Sequence, residues 1–246
     1  MPLLEVDGVS KSFGGVRAVH DVSFTLEEGE LLGIMGPNGS GKTTLFNLIA
    51  GALAPDTGRI RLGGHDIAGQ APHRACARCI ARTFQLVRPF AGLSVLDNVL
   101  VGRLYGRART TTAEAIAEAE RLLDLVGLDG RAAVPAAQLT LIDRKRLELA
   151  RALATAPRLL LLDEFMAGLN PAETATAMLL IRRLQAEGMT VLMVEHIVWA
   201  LMDLSRRLIV LSAGEKIADG APAAIAADAA VVDVYLGTER GSDMRA

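Results

Sequence analysis

GPNGSGKTT, residues 36–44, is the stretch on which the fold of this chain turns. It follows the apolar run ELLGIM (30–35) and precedes the helix-like TTLFNLIAG (43–51), the strand–loop–helix order in which the G-x-x-x-x-G-K-[ST] spacing binds phosphate. Gly36, Gly39 and Gly41 let the backbone wrap closely, so that successive N–H groups and a helix N-terminus point at phosphate oxygens. Pro37, Asn38 and Ser40 fill the loop between them. Lys42 is expected on the β- and γ-phosphates, Thr43 is expected to place its hydroxyl on Mg²⁺, and Thr44 continues the first helical turn.

A nucleotide site that hydrolyses also needs one carboxylate for the metal and one for the attacking water. LLLLDE (159–164) supplies Asp163 and Glu164 at the end of a buried run, where side chains emerge at the sheet edge beside such a loop. Asp163 is read as holding Mg²⁺ through water and Glu164 as the general base; capping of the strand is the plainer reading of the pair. TVLMVEH (190–196) brings His196 to the end of another strand, where it can sense the phosphate.

The rest of the chain supports an α/β protein on a largely parallel sheet, since short apolar runs recur with helical stretches between them. LLEVDGV, VSFTL and GRIRLGG are short, β-rich and split by glycine turns, which suggests a small antiparallel layer. Strand signal then vanishes from Val87 to about Ala156, where TTAEAIAEAERLLDLVGL reads as an amphipathic helix, so this section is expected to be a helical insertion. NPAETATAMLLIRRLQAEG carries Asn170 as a helix cap, Pro171 at the first helical position and Gly188 as terminator. The polar ending GTERGSDMRA reads as a frayed tail.

With 26 basic and 28 acidic residues in 246, the chain shows no broad basic footprint, and nucleic acid is not an expected partner. Mean hydropathy is high, at +0.33, yet the apolar runs fall well short of the roughly 20 residues that span a bilayer. Work at a membrane would need a partner to do the spanning. Cys76 and Cys79 are too few for a disulfide framework, and MPLLEVDGVSKSF does not read as a secretory leader, so a cytosolic chain is the expectation. Trp199 is expected to pack against the sheet, and the basic triplet Arg144 to Arg146 to be a solvated face with Glu148 in reach of Arg144.

Taken in order, SFGG (12–15), GPNGSGKTT, RTFQ (82–85), LLLLDE, AGLNP (167–171) and VEH (194–196) resemble the ATP-binding subunit of ABC transporters, a likeness that runs from LLEVDGVSKSFGG to VYLGTE. The resemblance implies a P-loop NTPase (RecA-like) core with an antiparallel β subdomain and an inserted α-helical subdomain. All of 1–246 would be one domain, with the core at 1–86 and 157–246 and the helical part at 87–156. It implies MgATP as ligand, Phe13 stacked on adenine, Val19 lining the base pocket, and Gln85 joining the metal and water to the helical part. AGLNP would touch a dimer partner. Gln85 to Phe90, QLVRPF, stands where the family docks a short coupling helix of a membrane subunit.

IARTFQLVRPFAGLSVLDNVLVG and ADGAPAAIAADAAVVDVYLG are similar to the branched-chain amino-acid uptake group, while urea-uptake and lipopolysaccharide-export subunits share part of that ending. The RTFQ form favours amino-acid import. Implied partners are a sister ATPase in a heterodimer (a homodimer being the alternative), two transmembrane permease subunits and, indirectly, a solute-binding protein. The implied place is the cytoplasmic face of the inner membrane. A soluble ABC-type ATPase for DNA or ribosomes would carry a long coiled coil or a second cassette, and neither is present in the sequence.

One motif departs from the family. Leu139, Thr140, Leu141, Ile142 and Asp143 (LTLID) occupy the signature position, where a Ser-Gly-Gly core normally lies between Leu and Gln. In the family this motif serves the ATP of the opposing subunit. Thr140 keeps the hydroxyl, but Leu141 and Ile142 remove the glycines that let the helix N-terminus approach phosphate. Asp143 beside phosphate would be repelled, so it is expected to turn back onto its own helix cap or to be offset by Arg144 or Lys145. Three readings follow: a working variant, a weakened site opposite, or a nucleotide-binding regulatory module of low turnover.

Overall fold

Leu159 to Asp163 is buried at every position, which requires both faces of that strand to be covered. In the computed structural model, which describes residues 2–106 and 111–242 and side chains as far as Tyr235, this is what the architecture provides. In chain order the elements are β1 (Leu4–Phe13), β2 (Val16–Leu26), β3 (Leu31–Met35), α1 (Lys42–Ile49), β4 (Thr57–Leu62), β5 (His65–Asp66), α2 (Pro72–Ala77) and β6 (Ile80–Arg82). Then come α3 (Val95–Tyr105), α4 (Thr112–Leu125), α5 (Leu141–Ala154), β7 (Leu159–Asp163), α6 (Pro171–Ala186), β8 (Thr190–Val194), α7 (Val198–Leu204), β9 (Arg207–Ser212), β10 (Glu215–Gly220), α8 (Pro222–Ala227) and α9 (Ala229–Ser242).

Six strands form one sheet in the order β10-β9-β3-β8-β7-β6, parallel from β9 to β6 with β10 antiparallel at the edge. The second sheet, β2-β1-β4-β5, is antiparallel. Alternation along the buried strands divides their side chains between two cores. Leu159 and Leu161 of β7 join Ile34, Leu192 and Ile209 in the core shared with the antiparallel sheet and α1. Leu160 and Leu162 face Met193, Val210 and the helices on the other side. At about 1.5–3 kcal/mol for each fully buried leucine or isoleucine, these rows account for much of the driving force that holds the strands in register.

The described residues between β6 and β7 contain helices and one isolated bridge, Ser94 to Pro135, but no strand. Their helices start as the sequence suggests. Thr111 and Glu114 form a reciprocal capping box on α4, and Asn170 does the same with Glu173 on α6, with Pro171 in the first helical turn. Two expectations fail. Trp199 lies 57% exposed on α7 because the positions that face the sheet are Ala200, Leu201 and Leu204. The ending expected to fray is helical to Ser242, within α9, and residues 243–246 of it lie outside the described chain.

Candidate active site

Because β3, β6, β7 and β8 are parallel, the loops that follow them open at one sheet edge, the usual place for a ligand in such a fold. The GPNGSGKTT loop leaves β3 there. A Cβ on Gly36 would stand 2.1 Å from the Leu211 carbonyl oxygen, and one on Gly41 (φ +103°) 2.3 Å from that of Ala18. The loop thus passes so close to its neighbours that these two positions accept no side chain. Lys42 Nζ donates to the carbonyls of Gly36 (2.7 Å) and Pro37 (2.9 Å), so the ammonium is folded back on its own loop. Burial pushes its pKa down while Glu164 opposes that shift, and an anion placed in the loop would likewise raise it.

A cavity of about 490 Å³ runs over this loop, bordered by Asn38 to Thr44, Val16, Arg17, Ala18, Glu164 and His196. The sequence reading of its side wall needs correction. Val19 is 1% exposed and belongs to the core under β2, because alternation along the strand sends it inward and leaves Val16 and Ala18 on the cavity side. Phe13 sits at the tip of the β1–β2 hairpin, paired with Val16, half exposed and with the Lys11 ammonium 5.8 Å above its ring.

The catalytic candidates converge. Glu164 Oε2 accepts from Gln85 Nε2 at 2.5 Å, and His196 Nε2 lies 2.6 Å from Glu164 Oε1. Glu164 is one of five non-glycine residues with positive φ (+50°) among the described residues, and its N–H is held by the Val194 carbonyl at 2.9 Å. A left-handed residue directly after a strand costs on the order of 1–2 kcal/mol. Here it turns the carboxylate out of the sheet toward Gln85 and His196.

Asp163 is 4% exposed, and Arg82 Nη2 donates to its Oδ2 at 2.6 Å while Arg82 Nη1 donates to Asn47 Oδ1 at 2.6 Å. Sequence reading did not single out Arg82; a charged residue closing the apolar run of an edge strand was the available signal. Thr43, Gln85 and Asp163 all border a second, larger cavity of about 770 Å³. Asp163 Oδ1, the Gln85 amide oxygen and the Thr43 hydroxyl form an all-oxygen donor set, which suits a hard cation such as Mg²⁺. The same cavity extends between α5, α3 and β6 as a groove with Leu86, Phe84, Val101 and Ala152 on its walls.

LTLID opens α5. Thr140 is its N-cap and accepts the Asp143 N–H at 3.3 Å, while the Thr140 hydroxyl donates to Asp143 Oδ2 at 2.8 Å. Asp143 is 6% exposed and turned back onto this cap, as expected, but its counter-charges are Arg131 (2.8 Å) and Arg146 (3.5 Å), not Arg144 or Lys145. Arg131 arrives from the preceding loop, and Arg146 is one turn on from Asp143. Arg144 instead donates to the Ala137 carbonyl, and Lys145 points inward. The triplet is therefore no solvated face. Glu148 is buried as well and accepts the Phe84 N–H at 3.1 Å; burial drives its pKa up to about 7. Leu139 is buried, whereas Leu141 is half exposed with a methyl near Gly168 of AGLNP. Neither Cys76 nor Cys79 is in a disulfide, and Cys79 is buried.

Comparison with known proteins agrees with this geometry. The profile of the family described as "ABC transporter" matches residues 19–167, and that of "Branched-chain amino acid ATP-binding cassette transporter" matches residues 215–240. The high-affinity branched-chain amino acid transport ATP-binding protein BraF of Pseudomonas aeruginosa is 38% identical over 96% of this chain and 98% of its own length. LivG of Escherichia coli, of the same description, is 36% identical over the same shares. Among solved structures, the ADP conformation of MJ1267, an ATP-binding cassette of an ABC transporter, has a TM-score of 0.88 at 30% identity, covering 96% of this chain and 99% of that one. A dimeric post-hydrolysis cassette, MJ0796 bound to ADP and Pi, gives 0.79 at 26% identity, covering 89% and 98%.

Proposed function

This chain belongs to the ABC transporter ATP-binding family, and from that membership we propose that it is the ATP-hydrolysing subunit of a branched-chain amino-acid importer. The observation that carries the reading is the meeting of Gln85, Glu164 and His196 beside the Lys42 loop. The names of the relatives favour amino acids over urea or lipopolysaccharide as cargo.

In the proposed mechanism the phosphates displace the Gly36 and Pro37 carbonyls from Lys42, and the loop N–H groups take the remaining oxygens. Thr43, Asp163 and Gln85 would hold Mg²⁺, which would supply neutralisation of charge on the nucleotide's phosphates. Arg82 fixes the Asp163 carboxylate so that one oxygen stays turned to the site. Glu164, released from Gln85 and His196, accepts the proton of the attacking water, and His196 Nε2 becomes free to donate to the γ-phosphate. Phe13 and Val16 flank the base. The core at 1–86 and 157–246 and the helical part at 87–156 move as two units about the Gln85 segment.

Partners follow from the same reading. No helix among the described residues is long and apolar enough to cross a membrane. We place the chain at the cytoplasmic face of the inner membrane, with two permease subunits, a sister ATPase and indirectly a solute-binding protein. A permease coupling helix would lie in the groove beside Leu86 and Phe84. Because Thr140 and Asp143 already satisfy one another, LTLID makes a poor contact for the ATP of the sister subunit, and hydrolysis is asymmetric between the two sites.

Phosphate release from MgATP tests the catalytic part: Glu164→Gln should lower it at least 100-fold while nucleotide still binds, and equal rates would refute it. Leucine uptake by vesicles carrying the assembled transporter tests the cargo. Disabling the Glu of each subunit in turn tests the asymmetry, which fails where both sites prove equally fast.

A further inference from the structure

Lys145 is 2% exposed, an ammonium carried into the interior on the second turn of α5. Its hydrogen bond among the described residues goes to the backbone carbonyl of Glu164, at 3.5 Å, and its Nζ lies 6.0 Å from the Phe165 ring centroid. The anions that act on it are Glu195, Glu148 and Glu164, in that order of influence. Glu195 and Glu148 are built alike. Each is buried, uses one oxygen to accept a backbone N–H and keeps the other without a partner. Glu195 Oε1 accepts from Met166, two residues after Glu164, at 2.8 Å, and Glu148 Oε1 accepts from Phe84, next to Gln85. Glu195 is itself the residue before His196.

Each catalytic side chain is thus adjacent to a backbone point that this buried charge cluster holds. A buried ammonium is tolerated only where carboxylates surround it, and removing it would leave two half-satisfied carboxylates behind the catalytic loop. Lys145 stands five residues beyond Thr140 on one continuous helix, so it moves with the Thr140–Asp143 turn.

We propose that Lys145 is a positioning residue for Glu164: through its hydrogen bond to the Glu164 carbonyl it ties the start of α5 to the backbone of the catalytic carboxylate, so that displacement of the Thr140–Asp143 turn shifts Glu164 and His196 of the same chain. The proposal rests on Glu164 being the catalytic base.

The test uses the full chain. Lys145→Met keeps length and removes charge; it should lower kcat at least tenfold with KM for ATP within twofold. Lys145→Arg, which restores the cation, should return to within threefold of the parent. Glu195→Gln added to Lys145→Met should lower kcat no further, since the two hold the same Glu164–Met166 backbone. Hydrogen exchange provides a readout independent of turnover: the Met166 amide should exchange at least tenfold faster in Lys145→Met, with β9 unchanged. Where Met prevents folding, Lys145→Gln takes its place in every arm. A kcat within twofold of the parent, a fall matched by rising KM, failure of Arg to restore, additive losses in the double variant, or an unchanged Met166 amide would each overturn the proposal. Glu164→Gln run in parallel separates the two ideas, because undiminished hydrolysis there removes the base and not the Met166 result.

Discussion

Asp143→Ala separates two pictures of the altered signature. In the structure the Asp143 carboxylate accepts the hydroxyl of the Thr140 cap and pairs with Arg131, and Arg146 lies at the edge of ion-pair range. Losing the bond from the Thr140 hydroxyl costs about 1 kcal/mol, while the Thr140 cap on the residue-143 N–H is kept. Arg131 is 48% exposed, so its pair is worth less than about 1 kcal/mol, and the long Arg146 contact adds little. The expected loss is about 1–2 kcal/mol, or a fall in Tm of about 2–8 °C for a chain of this size. Urea unfolding of the nucleotide-free chain, followed by circular dichroism, measures it. Thr140→Val should cost about 1 kcal/mol, and the double variant less than the sum, because the hydroxyl acts through the carboxylate. Had Asp143 faced a phosphate about 4 Å away, it would oppose binding by about 4 kcal/mol at an effective dielectric of 20, and its removal would tighten nucleotide with no loss of stability. A loss below about 0.5 kcal/mol refutes the self-capped turn.

Other outcomes follow from the same coordinates. Gly41→Ala, whose Cβ meets the Ala18 carbonyl at 2.3 Å, should abolish ATP binding, whereas Gly39→Ala meets nothing within 4 Å and should cost only the left-handed strain, about 1–2 kcal/mol, in a thermal melt. Burial drives the pKa of Glu195 up to about 7, with Lys145 and the Met166 N–H opposing and Glu164 assisting. The folded state therefore holds a proton that the unfolded state has lost, and this contribution to stability disappears as pH rises from about 4.5 through 7. Urea midpoints across that range should fall less steeply for Glu195→Gln than for the parent; parallel curves would contradict it. Phe13→Ala should raise KM for ATP about tenfold, the equivalent of one stacking contact of about 1.4 kcal/mol, with kcat within twofold in a steady-state assay.

What could be read from the sequence divides along physical lines. GPNGSGKTT was legible because a loop that wraps phosphate tolerates few residue types, and Gly36 and Gly41 show why in the 2.1 and 2.3 Å approaches a Cβ would make. Asp163, Glu164 and His196 were legible because each ends a run buried on both faces, a pattern that marks the catalytic edge of a parallel sheet. Val19 was misplaced because β2 pairs with β1 through several register shifts, and a one-residue difference exchanges core for cavity. Arg131 escaped notice and Lys145 was misassigned for another reason. A basic residue in a polar-looking helix turn reads as solvated, and nothing local says that Lys145 faces Glu195, fifty residues away in sequence.

That buried lysine bears on how an altered signature and an intact hydrolytic site coexist in one chain. The start of α5 has two faces. Outward, Thr140, Leu141 and Ile142 present a turn whose hydroxyl and carboxylate are spent on each other. Inward, Lys145 and Glu148 reach Glu164, Glu195 and the N–H before Gln85. The side chains that stand on the outer face where the family has glycines leave these inner contacts in place. The Arg131–Asp143 pair adds to this separation. It anchors the turn to the preceding loop, so that α5 holds its place, and Lys145 its bond to Glu164, without a phosphate at the helix N-terminus.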